Sequence, residues 1–87
     1  MTDLRGMRNI GDVVAAELET AGIADGEALR AAGSVVAACR LREAGFDVCR
    51  SKLASLEGAI LDVKWNLVPK SRRDGLYREF EESAPLR

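Results

Sequence analysis

One long apolar stripe constrains the fold of this chain more than any other sequence feature. Between about Val48 and Val63, apolar side chains recur at spacings of four, three, four and three residues. They are Cys49, Leu53, Leu56, Ile60 and Val63. Because this spacing keeps returning to one side of an α-helix, the segment predicts a central helix of about four turns. Gly58 lies within it, which indicates that another backbone approaches closely there.

Glycines divide the remaining sequence into short stretches, and each stretch predicts a short helix. Before the central helix, the predicted helices cover residues 3–8, 12–21, 25–31 and 34–44. Asp25 and Ser34 are the expected N-caps of the third and fourth helices, because such side chains accept hydrogen bonds from first-turn amides. Gly22 and Gly45, each followed by an apolar residue, are the expected C-terminal stops of the second and fourth.

A sixth helix is predicted after Pro69. The run Ser71-Arg72-Arg73-Asp74 has the spacing of a capping box. The apolar face of this helix consists of Leu76, Tyr77 and Phe80. Trp65, which precedes the sixth helix, is expected to close the core as a lid. Glu57 is expected on the solvated side of the central helix.

The composition favours helices over a sheet. Aromatic residues make up 5 % of the chain, and β-branched residues are scarce beside Ala, Leu, Arg and Glu. With 47 % hydrophobic and 31 % charged residues, the sequence is typical of a globular domain. We therefore expect residues 1–87 to form a single all-α domain, a compact orthogonal bundle of five to six short helices.

Several function classes are disfavoured by what the sequence lacks. The chain has no His and no glycine loop with a Lys that would hold phosphate, so we expect no catalysis, cofactor or small-molecule substrate. Without His, a metal site is not expected either. Cys39 and Cys49 are predicted to be reduced and partly buried, and a redox role ranks last. No apolar run has the length of a membrane span and no apolar signal core is present, so we expect a cytoplasmic protein without membrane contact.

The charge of the chain is close to neutral overall but unevenly distributed. A net charge of −1 is not the signature of a DNA-binding domain. Residues 64–78 are nevertheless basic, and residues 79–87 are acidic. The cations of the basic segment are Lys64, Lys70, Arg72, Arg73 and Arg78. A solvated helix with local ion pairs explains this pattern, and a nucleic-acid patch is the alternative interpretation.

Motifs spread along the chain resemble the C-terminal domain of the TfoX competence regulators. They are Met7-Arg8-Asn9-Ile10-Gly11, Leu18, Ala21-Gly22-Ile23, Leu29, Gly33, Leu53, Leu56-Glu57-Gly58-Ala59-Ile60, Trp65-Asn66, Val68-Pro69 and Arg72. The resemblance implies a helical bundle that opens with a helix-hairpin-helix-like unit. Full-length TfoX proteins carry a further N-terminal domain and regulate DNA-uptake genes. For this sequence we expect a non-enzymatic accessory role in DNA binding, transcription or competence regulation.

A helix-hairpin-helix unit binds nucleic acid through the free amides and positive end of its second helix. The candidate residues of this unit are Arg5, Arg8, Asn9, Gly11 and Val13. Asp12 counts against the assignment, because its carboxylate already occupies the helix end that a phosphate would approach. The alternative is a tight interhelical turn that buries Ile10 in the core.

Two functional hypotheses follow. In the first, the hairpin and Lys70, Arg72 and Arg73 of the basic segment bind duplex DNA weakly and without sequence specificity. In the second, the chain is an adaptor that binds a protein partner or forms a homodimer and does not contact nucleic acid.

Overall fold

The computed structural model describes residues 2–83, which fold into five α-helices and two short 3₁₀ turns. The helices are α1 (Asp12–Thr20), α2 (Gly26–Ala32), α3 (Ser34–Glu43), α4 (Arg50–Leu61) and α5 (Lys70–Glu82). The 3₁₀ turns span Leu4–Gly6 and Trp65–Leu67. Residues 2–83 contain no strand, so the all-α prediction is confirmed for them. The radius of gyration is 11.8 Å.

Helix α4 lies at the centre of the bundle, as the apolar stripe predicts. It packs against α3, α5 and the second 3₁₀ turn. Leu53 and Leu56 are fully buried, whereas Ile60 is only partly buried. The predicted ends of the helix are wrong by two residues each: Cys49 is the exposed N-cap and Leu61 is the last residue. The helix stops there because the next residue adopts a left-handed conformation.

Glycine stops end α1 and α3, as predicted. Gly22 and Gly45 have φ angles of 90° and 97°. The amide of Ile23 donates to the Leu18 carbonyl at 2.8 Å, and the amide after Gly45 makes the equivalent bond at 3.0 Å. These bonds return the chain toward the core and satisfy carbonyls that the helix leaves free. Ile23 is buried as a result.

One predicted N-cap is confirmed and another is wrong. Asp25 accepts a hydrogen bond from the amide of Ala28 at 2.8 Å. The cap of α3 is Gly33, at φ 84°, and Ser34 is already the first helical residue. The Ser34 hydroxyl faces inward and donates to Glu57 at 2.8 Å. The Ser34 hydroxyl therefore bonds to the buried Glu57 carboxylate and does not cap the start of α3.

The capping box predicted for the last helix is also wrong. Pro69 occupies the N-cap position of α5, and no side chain caps the helix. Asp74 instead accepts hydrogen bonds from Lys70 and from Arg50 of α4. Its carboxylate links two helices rather than closing the first turn of one.

The segment before α1 is less helical than predicted. Over residues 3–8 the structure has one 3₁₀ turn, Leu4–Gly6, in which Asp3 accepts the Arg5 amide at 3.0 Å. The helix-hairpin-helix-like opening is therefore not confirmed. Ile10 is 5 % exposed, as expected for the alternative of a tight turn that enters the core.

The core combines residues from the first 3₁₀ turn, the Met7–Ile10 segment and all five helices. The buried apolar cluster contains Leu4, Met7, Ile10, Ala15, Leu18, Ile23, Leu29, Ala37, Ala38, Leu41, Leu53, Leu56, Ala59, Leu76 and Phe80. Trp65 is not among them and is 41 % exposed, so the prediction that it closes the core is wrong. Its backbone is part of the second 3₁₀ turn, which has no buried residue.

Candidate nucleic-acid interface

The two arginines predicted to contact phosphate from the hairpin are engaged with carboxylates. Arg5 pairs with Glu19 at 3.1 Å and with Asp12 at 3.4 Å. Arg8 pairs with Asp62 at 3.3 Å. Each of these two cations therefore has an anion beside it. The positive potential that a phosphate would meet near Arg5 and Arg8 is weak as a result.

The Asn9 side chain bonds to the loop that follows α4. Its side-chain amide donates to the carbonyl of Val63 at 2.8 Å and accepts the amide of Trp65 at 3.2 Å. The backbone of Asn9 is left-handed, with φ 70°. A Cβ added to Gly58 would lie 2.5 Å from the Asn9 amide nitrogen and 2.7 Å from the Val63 carbonyl. The close approach predicted at Gly58 is therefore made by the loop that follows α4, at Val63 and Trp65, with the Asn9 side chain in the same space.

Gly11 and Val13 lie at the start of α1. Gly11 is the N-cap and makes no side-chain cap bond, and Val13 is 71 % exposed. The Asp12 side chain projects into solvent at this end of the helix. Its negative charge complements the helix dipole and opposes an incoming phosphate.

The Arg72 side chain pairs with a buried carboxylate and does not lie free on the surface. Its guanidinium donates to Oε2 of Glu57 from Nε at 3.2 Å and from Nη2 at 3.1 Å. Oε1 of Glu57 accepts the Ser34 hydroxyl. Glu57 is 6 % exposed, so the prediction that it is solvated is wrong. The sequence contained a signal for this, because Glu57 follows Leu53 by four residues and so shares its buried side of α4.

Lys70 and Arg73 lie on a different surface, where α5 meets the start of α4. Two adjoining cavities of about 310 and 530 Å³ open there. We call this surface the basic groove, and its residues are Arg50, Ser51, Trp65, Lys70, Arg73, Asp74, Arg78 and Glu81. It brings together four cations and two carboxylates, and it carries a net positive charge in a chain whose own net charge is −1.

Asp74 fixes the two cations at the middle of the basic groove. Its carboxylate oxygens lie 3.0 Å from Arg50 and 3.1 Å from Lys70. The hydrogen bond from Lys70, together with the nearby guanidinium groups, holds the pKa of the Asp74 carboxyl below its usual value. Asp74 is therefore ionised at neutral pH. Its carboxylate pairs with Arg50 and Lys70, and its negative charge also lowers the positive potential of the groove.

Two cations of the basic groove, Arg73 and Arg50, also contact aromatic rings, and Arg73 contacts the backbone. Arg73 donates to the Val68 carbonyl at 3.0 Å, and its guanidinium lies 5.9 Å from the centre of the Trp65 ring. The guanidinium of Arg50 lies 4.5 Å from the centre of the Tyr77 ring. These contacts limit the rotamers of long side chains, which lowers the entropy cost of binding an anion.

The structure thus separates the predicted site residues. Lys70 and Arg73 lie in the basic groove, Arg72 lies outside it, and the hairpin residues belong to a neighbouring surface. Sequence reasoning missed Arg50, which precedes Lys70 by twenty positions. It also missed Trp65 as a surface residue. The sequence did contain a signal for Trp65, because this aromatic residue lies at the edge of the basic segment 64–78.

The structure of residues 2–83 also bears on metal, membrane and thiol sites, which the sequence did not favour. No group of three His, Cys, Asp or Glu side chains within this range has metal-ligand geometry. No helix in it is long and apolar enough to cross a bilayer. Both thiols are free, and Cys39 is partly buried as predicted. Cys49 is exposed at the start of α4, so the prediction that it is partly buried is wrong. A hydrogen bond with Ser51 lowers the pKa of the Cys49 thiol.

Comparisons with known proteins agree with the motifs and the fold. A crystal structure of an uncharacterized protein from Listeria monocytogenes, in a triclinic form, superimposes with a TM-score of 0.83 at 32 % identity, covering 91 % of this chain and 90 % of that one. A tetragonal-form structure of a protein of unknown function from the same organism gives 0.82 at 34 % identity, covering 92 % and 98 %. No curated protein matches significantly. The family model of the TfoX C-terminal domain matches residues 1–80, and the chain therefore belongs to that family.

Proposed function

We propose that this domain is a non-enzymatic DNA-binding module whose contact surface is the basic groove. The observation that carries the proposal is the convergence of Arg50 from α4 with Lys70, Arg73 and Arg78 from α5 beside an exposed tryptophan. Cations along a groove neutralise backbone phosphates without reading base sequence. Because two carboxylates share the groove, the complex is expected to be weak.

The proposed cellular role is that of an accessory to transcription or competence regulation in the cytoplasm. Membership of the TfoX C-terminal domain family supports this role. The surface that binds DNA in this proposal differs from the hairpin expected from the sequence, because Arg5 and Arg8 are already paired with carboxylates.

The first test is the salt dependence of duplex binding, measured by fluorescence anisotropy of a labelled duplex. If three or four phosphates are neutralised, affinity falls roughly 40- to 150-fold between about 50 and 200 mM salt. The absence of binding at the lowest salt would contradict the proposal.

Charge variants then locate the contact. Lys70→Glu and Arg73→Glu are expected to weaken duplex binding severalfold each, whereas Arg40→Glu on α3, outside the groove, is the matched control. Asp74→Asn is expected to strengthen binding, since it removes a carboxylate from the groove while breaking two exposed ion pairs. Loss of affinity in Asp74→Asn would indicate a structural effect and would count against the groove.

A second candidate function, self-association or binding of a protein partner, is favoured by one observation. Leu61, Trp65 and Leu67 are large apolar side chains within seven positions, and all three are exposed, Leu67 by 66 %. Exposed apolar residues close together are typical of interaction surfaces. Sedimentation of the wild type and of Leu61→Ser/Leu67→Ser at several concentrations tests this. A monomer at every concentration in both proteins counts against self-association.

A further inference from the structure

The single tryptophan of the chain lies at one end of the basic groove. Trp65 lines the 310 Å³ cavity together with Ser51, Lys70 and Arg73. A tryptophan in a small domain is usually a buried anchor, because its large ring contributes much apolar area to the core. Here 41 % of the residue is open to water next to cationic side chains. Such a ring has a face or edge available for a ligand.

The backbone under this ring is held firmly. The amide of Trp65 donates to the Asn9 side chain at 3.2 Å, and its carbonyl accepts the amide of Val68 at 3.2 Å. The Val68 carbonyl in turn accepts the Arg73 side chain. The aromatic ring and its neighbouring cation are therefore presented on a fixed turn, and binding does not have to order a loop.

We propose that the basic groove binds an unpaired nucleotide of a single-stranded nucleic acid, with the base stacked on the Trp65 ring. Lys70 and Arg73 would then contact the phosphates on either side of that base. This inference rests on the proposed function, since it uses the same groove, and it names the substrate class more narrowly. Bases in an intact duplex are already stacked and paired, so their faces do not reach an aromatic side chain.

The ring itself reports on the proposed contact, because it is the chain's only tryptophan. Trp65 fluorescence is measured at low salt while three probes of equal length are added: an oligothymidine strand, an abasic strand with the same number of phosphates, and a duplex. Strong saturable quenching by oligothymidine and weak quenching by the abasic strand are the expected results. Equal quenching by the two strands would overturn the proposal, because it would show that phosphate contact alone changes the signal.

Variants separate stacking from charge, with affinity measured by anisotropy of labelled strands. Trp65→Ala is expected to weaken oligothymidine binding roughly tenfold to hundredfold and to weaken duplex binding much less, because a paired base offers no face to the ring. Trp65→Phe keeps a ring and is expected to recover part of the lost affinity. Leu67→Ala, an exposed apolar change in the same turn, is the control and should leave both affinities unchanged.

The outcomes distinguish this inference from the proposed function. If Trp65→Ala weakens single-strand and duplex binding equally, the stacking inference is wrong and duplex binding stands. If the strand binds and the duplex does not, the inference stands and the duplex proposal is wrong. An RNA strand of matching sequence shows whether the groove prefers ribose or deoxyribose. Tighter binding of either single strand than of the duplex supports the inference. Trp65→Phe and the abasic probe still test it if Trp65→Ala does not fold.

Discussion

At the scale of single residues, Gly58 and Asn9 form one structural unit. The Asn9 side chain bonds to the loop that follows α4, and Gly58 leaves the space in which it lies. The motifs Asn-Ile-Gly, Leu-Glu-Gly-Ala-Ile and Trp-Asn, which carry the family resemblance, meet at this point. In this structure the three motifs together hold the loop that follows α4 against that helix.

Gly58→Ala is expected to destabilise the protein. The added Cβ would meet the Asn9 amide and the Val63 carbonyl at less than 3 Å, and the latter is backbone that cannot move aside cheaply. Overpacking costs about 1–3 kcal/mol and offsets the gain of about 1 kcal/mol in helix propensity, so the free energy of unfolding should fall by up to about 2 kcal/mol. Urea unfolding followed by circular dichroism measures the change.

Gly75→Ala in α5 is the matched control for this change. An added Cβ there meets nothing within 4 Å, so only the helix propensity changes. The control should gain about 0.5–1 kcal/mol in stability. Equal effects of the two substitutions would refute the argument that Gly58 is closely packed.

The Arg72–Glu57 pair leads to a second prediction at the residue scale. Arg72→Ala leaves the buried Glu57 carboxylate with the Ser34 hydroxyl as its remaining side-chain partner. A loss of about 2–3 kcal/mol in the free energy of unfolding is expected, below the range for fully buried pairs because Arg72 is partly exposed. Lys70→Ala, which breaks an exposed pair, should cost at most about 0.5 kcal/mol. In Glu57→Gln/Arg72→Ala the loss should be smaller than the sum of the single losses, and strict additivity would contradict the pairing.

At the scale of elements, polar contacts attach the outer segments to the central helix α4. Helix α5 is held by the Arg72–Glu57 pair and by the bond of Arg50 to Asp74. The sequence predicted each helix from its own neighbours, and the five helices are found near the expected positions. It could not predict these attachments, because residues that are far apart in the chain supply the two partners.

The contact between the N-terminal segment and α2 makes stability depend on pH. Glu27 accepts hydrogen bonds from the amide and the hydroxyl of Thr2 at 2.7 and 2.8 Å, and these lower the pKa of its carboxyl to about 2. The unfolded value is about 4.5. Because the folded value is the lower one, the stabilisation is complete above the unfolded pKa and is lost as the pH falls toward the folded pKa.

Glu27→Gln tests this dependence through the melting temperature. At neutral pH the variant should melt below the wild type, and the difference should shrink as the pH falls from about 4.5 toward 2. A difference that stays constant across this window would show that the carboxylate of Glu27 does not stabilise the fold.

At the scale of the whole molecule, contacts between distant segments favour a single unfolding unit. The Asn9 bond to Val63 and the Arg8 bond to Asp62 each join positions 54 apart. Arg42 of α3 donates to the carbonyl of Phe80 in α5 at 3.3 Å, and its guanidinium lies 4.3 Å from that ring's centre. Segments from both ends of the described chain therefore share contacts with the centre.

Unfolding is accordingly expected to be two-state. Trp65 fluorescence reports the second 3₁₀ turn, and far-ultraviolet circular dichroism reports all helices. Because Asn9 binds the Trp65 amide while the other helices pack on α4, both signals should change at one urea concentration with one slope. A fluorescence transition at lower urea than the dichroism transition would show that the groove region unfolds separately.

The local sequence determined where α1 and α3 stop and where the central helix lies. A positive φ at Gly22 or Gly45, and the apolar spacing around Leu53, depend on residues within a few positions, so sequence alone locates these elements. Burial of Glu57, exposure of Trp65 and the meeting of Arg50 with Lys70 depend on which helix faces lie against each other. Such packing sums weak contacts between distant residues, and only the folded structure decided it.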